Sequence, residues 1–115
     1  MNIRTTTTNF IILFFLAIVS TSCKKTNIEC DGSNPTYTDG IKTIIDNNCI
    51  SCHSYGGQAG NIGKFDTYIG LSDVLNNGSF ENNVLNSKSM PKGGKLTEKD
   101  LIDIRCWLDN GHPEM

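Results

Sequence analysis

Residues 49–53 read Cys-Ile-Ser-Cys-His, and this pentapeptide constrains the chain more than anything else in it. Two thiols three positions apart reach the two vinyl groups along one edge of a porphyrin. A histidine directly after the second thiol is then held beneath the iron. C-x-x-C-H is accordingly the attachment pattern of c-type haem, with Cys49 and Cys52 as the thioether donors and His53 as the proximal iron ligand. Two other chemistries use a C-x-x-C pair. A structural zinc site needs a second pair, or two more ligands at similar spacing. The other cysteines here are Cys23, Cys30 and Cys106, all singletons, and the one further histidine is His112. A thioredoxin-like redox pair belongs beside a βαβ pattern, and no segment of this chain alternates at the strand period.

A second axial ligand is expected at Met90. It precedes Pro91 in a glycine-flanked loop, Ser89-Met90-Pro91-Lys92-Gly93-Gly94. Proline fixes its own φ and biases the residue before it toward extended backbone, so less entropy is lost when the thioether binds. A methionine opposite a histidine raises the reduction potential of the iron. The plain alternative is that Met90 is a packing residue, a use that suits methionine. His112 competes as a ligand but follows the last helix between Gly111 and Pro113, and Met115 is the terminal residue.

The N-terminus reads as an export signal. Arg4 precedes the apolar run from Phe10 to Val19, which falls short of the roughly 20 residues a membrane-spanning helix needs and fits a signal-peptide core. Ser20-Thr21-Ser22-Cys23 follows and resembles the lipobox of bacterial lipoproteins, with Ser20 standing where an apolar residue is usual. That resemblance implies cleavage before Cys23 and lipidation of its thiol. Ordinary signal cleavage and an uncleaved anchor are the alternatives. The expected division is a lipoprotein-type signal peptide over residues 1–22, a tether over 23–37 and a haem-carrying domain over 38–115. The protein is then exported and lipid-anchored to a bacterial membrane, on its periplasmic or cell-surface side.

The mature part reads as all-α, with three to four helices and long loops around one covalent haem. Ile41, Ile44 and Ile45 make the buried stripe of a first helix, capped by Thr38 or Asp39 and running into Cys49. Ser54 to Gly63 is a glycine-rich loop. A second helix follows Asp66 with Tyr68, Leu71, Val74 and Leu75 on one face, and a short turn after Ser79 carries Phe80, Val84 and Leu85. In the last helix Thr97 and Asp100 form a capping box, Leu101, Ile104 and Leu108 share a face, and Ile102 and Trp107 flank it. Gly111 and Pro113 end it. With 115 residues and a formal charge of −2, the chain has room for one domain and carries no basic patch for nucleic acid.

These elements together resemble the class I cytochrome c family. The residues that carry the likeness are Cys49 to His53, Met90-Pro91, and the terminal helix ending Ile104-Arg105-Cys106-Trp107-Leu108-Asp109-Asn110-Gly111. Small cytochrome c-like domains of Bacteroidota and Planctomycetes are similar in the stretch from Ile41 to His53 and in Lys95-Leu96-Thr97 as well. The resemblance spans about residues 38 to 112. It implies crossed first and last helices, a haem in a cleft beside them, and iron held by His53 and Met90. The interval between those ligands is short for the family, and Lys64-Phe65-Asp66 departs from its more aliphatic segment. With the first and last helices crossed, Cys30 and Cys106 come within reach of a disulfide; two independent thiols are the alternative.

The expected function is single-electron transfer at a membrane surface, with redox proteins as partners and the chain acting as a monomer or within a complex. A haem relay or accessory subunit of a larger redox complex is one alternative. A haem-based sensor or peroxidase is the other, should Met90 leave the iron open.

Overall fold

The structure, a computed structural model, describes residues 27–115. The signal segment and Cys23 lie outside the described residues. The described part is helical, with no strand. Helix α1 spans Ile41–Asn48, α2 Tyr68–Asn76, α3 is the single turn Ser79–Glu81, a π-helical turn follows at Asn82–Asn86, and α4 spans Glu98–Asp109. Helix α1 packs against α4, while α2, α3 and the π-turn follow one another closely.

Helix α1 buries Ile41, Ile44 and Ile45, the stripe expected from their spacing. Its start differs from the expectation. The cap is Gly40, and neither Thr38 nor Asp39 gives it a side-chain hydrogen bond. A tight turn supplies backbone acceptors instead: the Ile41 N–H reaches the Thr36 carbonyl at 3.3 Å and the Lys42 N–H the Tyr37 carbonyl at 2.8 Å. With those donors satisfied, a side-chain cap has little left to do.

Helix α2 is capped by Thr67, whose hydroxyl oxygen accepts from the Gly70 N–H at 3.1 Å. It buries Leu71, Val74 and Leu75, and the next turns bury Phe80, Val84 and Leu85. In α4 the capping box is complete: Thr97 accepts from the Asp100 N–H at 3.1 Å, and the Thr97 N–H donates to the Asp100 carboxylate at 3.0 Å. The helix closes in a Schellman turn. Gly111, at φ 80°, donates to the Leu108 carbonyl and His112 to that of Trp107.

The burial in α4 is a correction to the stripe read from spacing. Ile104, Cys106 and Trp107 are the buried residues, while Leu101 and Leu108 are half-buried. The cause is a second covering layer. Cys30 and Cys106 form a disulfide, and residues 30–37, which read as tether, lie against α4. The Asn110 side chain donates to the Asn34 side chain at 3.0 Å, and the Tyr37 N–H to the Pro113 carbonyl at 2.9 Å. Tyr37 is buried in the core beside Trp107 and Tyr68.

Candidate cofactor-binding cleft

The end of α1 builds the first wall of a cleft. Cys49 is the helix C-cap, and its N–H bonds the Ile45 carbonyl at 2.8 Å. The chain then turns back on Cys49, whose carbonyl accepts from the N–H groups of Cys52 at 3.2 Å and His53 at 2.9 Å. This turn brings both thiols and the imidazole to one place. The glycine-rich loop returns onto it. The Ala59 N–H donates to the Cys52 carbonyl at 2.9 Å, and the Phe65 N–H to that of His53 at 2.7 Å. Glycine is required for so close a return, because a Cβ at Gly57 would run into the Cys52 carbonyl oxygen.

The cleft has a volume of about 360 Å³ and is lined mainly by apolar side chains, within the usual range for a buried small-molecule site. Cys49, Cys52, His53 and Met90 all line it, with Ile44, Ile45, Phe80, Val84, Leu96 and Ile104 between them. Lys92 and the exposed Ile62 also contribute to its lining.

Met90 is carried by the π-turn. There the Ser87 N–H reaches the Asn82 carbonyl five residues back, at 2.8 Å. The neighbouring Asn83 carbonyl accepts from the Met90 N–H at 3.1 Å, and the Ser89 hydroxyl lies 3.1 Å from the Asn83 side-chain oxygen. Asn83 therefore pins the methionine loop from both its backbone and its side chain. Sequence reasoning missed it, since an asparagine among many carries no pattern of its own.

Three observations describe the chemistry of the cleft. Cys49 and Cys52 are free thiols, the first half-buried and the second exposed. Burial pushes the Cys49 thiol up to about 11. The Nδ1 atom of His53 is shielded from solvent and has no hydrogen-bond partner. The His53 ring instead stacks on Phe65, with centroids 4.3 Å apart and planes within 6°.

His112 does not line the cleft. It belongs to the C-terminal turn, where the Tyr68 hydroxyl donates to its carbonyl at 2.8 Å, and its ring meets Trp107 edge to face at 6.0 Å. Met115 is exposed. The geometry therefore brings together Cys49, Cys52, His53 and Met90, and leaves the two competing ligands elsewhere. No protein-family model, curated protein or solved structure matches the chain.

Proposed function

We propose that this protein is a monohaem c-type cytochrome of the class I kind, carrying single electrons at a membrane surface. The observation that carries the reading is the shared cleft. Two unbridged thiols in C-x-x-C spacing, the imidazole that follows them and one thioether from a distant loop all line the same apolar space. That donor set fits haem c.

Cys49 and Cys52 would hold the porphyrin by thioether bonds, and His53 and Met90 would ligate its iron. Bound haem would supply a metal that alternates between ferric and ferrous states, one electron at a time. The chain does the rest. Its thiols fix the macrocycle to the end of α1, so little reorganises when the charge changes. The apolar lining excludes water. Were His53 and Met90 both to hold the iron, the chain would leave a substrate no metal position to bind, which favours a carrier over an enzyme.

Lipidation of Cys23 would confine the carrier to a membrane surface. Cys30 is tied to α4 by its disulfide, so the leash from Cys23 to the folded domain is seven residue steps. Fully extended, that is no more than about 25 Å. Partners must come to the membrane to exchange electrons.

The test is a pyridine haemochrome assay on protein matured in a haem-competent periplasm. The wild type should give one haem c per chain, and Cys49→Ala/Cys52→Ala should give no covalent haem. A colourless wild type, or one carrying zinc, overturns the proposal. Intact mass of the same material tests the anchor: no acyl chains on Cys23 removes the lipid attachment.

A further inference from the structure

A histidine that binds a metal ordinarily donates its second ring N–H to a carbonyl, a carboxylate or a water, and that bond fixes the plane of the ring. His53 has no such partner: its Nδ1 is shielded from solvent and unpaired. A different group lies against the ring. Phe65 is stacked face to face on it, 4.3 Å between centroids and 6° between planes. Phe65 is in turn held on two sides. Its N–H donates to the His53 carbonyl at 2.7 Å, so stack and backbone move together. Its ring meets Phe80 near a right angle at 6.5 Å, and Phe80 meets Trp107 at 6.3 Å. Trp107 is fully buried. The imidazole is thus one end of an aromatic series rooted in the centre of the core.

We infer that Phe65 is the positioning residue of His53, fixing the imidazole plane by stacking in place of the missing hydrogen bond. This rests on the cytochrome reading above. Two consequences follow. The ring plane is set by shape and dispersion, which hold equally in both oxidation states of the iron. And with no acceptor on Nδ1, His53 donates less electron density than a hydrogen-bonded imidazole, which favours the ferrous state.

The experiment is proton NMR of the holoprotein. The haem methyl shifts of the ferric form report the orientation of the axial imidazole. Wild type should show one set. Phe65→Leu and Phe65→Ile remove the stack and should double or displace that set. Phe65→Tyr keeps the stack and should restore the wild-type pattern. Leu71→Ala opens the core away from the cleft and should leave the pattern alone, which separates ring release from general loosening. In the ferrous wild type, cross-relaxation between the ring protons of Phe65 and His53 should be direct, a readout that needs no variant. Unchanged methyl shifts in Phe65→Leu and Phe65→Ile, or no cross-relaxation in the wild type, overturn the assignment while the cytochrome reading stands. A wild type with no haemochrome overturns both.

Discussion

Around Trp107, the polar groups find partners within the chain. The indole N–H donates to the Pro113 carbonyl at 2.9 Å, and the Tyr37 N–H donates to the same carbonyl. The Tyr68 hydroxyl holds the His112 carbonyl. Arg105 joins α4 to α3 through Glu81 at 2.8 Å and reaches Asp109 at 3.1 Å. A disulfide closes this pole, and the buried Tyr37 hydroxyl and Arg105 Nε are the exceptions to its pairing. Around His53 the arrangement is different. Two thiols are free, the imidazole Nδ1 is unpaired, and the methionine loop is pinned through Asn83 while its thioether faces an apolar cleft. One pole is closed by its own residues and the other presents soft donors to a shared space. Stability and chemistry are therefore expected to separate along the molecule.

Trp107→Ala tests that separation with the largest effect. Emptying a fully buried indole site costs about 3–5 kcal/mol, here with the Pro113 hydrogen bond lost as well. The denaturation midpoint should fall accordingly, while on the proposed haem reading the folded fraction keeps both axial ligands and so its absorption, the shortened Phe65–Phe80–Trp107 series affecting only the plane of the His53 ring. Altered axial ligation in that fraction would mean the poles are one cooperative unit with no division of labour.

Removing the disulfide comes next. Cys30→Ala/Cys106→Ala opens a closure between residues 76 apart in sequence. Loss of such a bridge typically costs about 2–4 kcal/mol. Denaturant titration should show it, with an unchanged spectrum and unchanged haem content. A drop in haem content would place the bridge in the assembly of the cleft.

These two sites also mark where the sequence stops being legible. The stripes Ile41, Ile44, Ile45 and Leu71, Val74, Leu75 could be read because helix burial follows the helix period. The Thr97 and Asp100 box could be read because capping is local. Trp107 and Cys106 fall off the Leu101, Ile104, Leu108 stripe: Cys106 is covered by its bridge to Cys30, and Trp107 by Tyr37 together with Phe80 and His112, long-range neighbours that no local period announces. In the cleft, the shared place of Cys49, Cys52 and His53 is legible because they are neighbours in sequence. Met90 is legible only once they have been read. Phe65 is a single aromatic after a glycine loop, and nothing local marks it as the neighbour of His53. Likewise, Phe80, Val84 and Leu85 are buried as their apolar character suggests, but the π-turn that carries the last two has no mark in the apolar pattern.

Met90→Ala probes the other pole and should invert the pattern. Met90 is half-buried, so its truncation should cost about 1–2 kcal/mol, below the 2–5 expected at a fully buried site. The spectroscopic effect should be total: the methionine-to-iron band at the red edge of the ferric spectrum disappears, and the ferrous protein begins to bind carbon monoxide. Survival of the band excludes Met90 as the ligand.

The smallest effect concerns the two thiols of the haem-free chain, and it asks how far the cleft is shaped before anything enters it. The thiolate is the form that alkylates. Burial moves the Cys49 thiol from 9.0 to about 11, a shift of two pH units, which lowers its thiolate fraction near pH 8 about a hundredfold. Cys52 is exposed and free of that shielding. In the haem-free chain, iodoacetamide should therefore mark Cys52 first, and the rate at Cys49 should keep climbing as the pH approaches 11. In denaturant the lag at Cys49 should vanish, because the burial that causes it is gone. Equal reactivity of the two thiols without denaturant would mean that Cys49 is not yet buried, and that the cleft pole takes its shape only around its cofactor. A persistent lag would mean that the end of α1 already holds Cys49 against the core, and that the closed pole organises the open one before any bond to the cofactor forms.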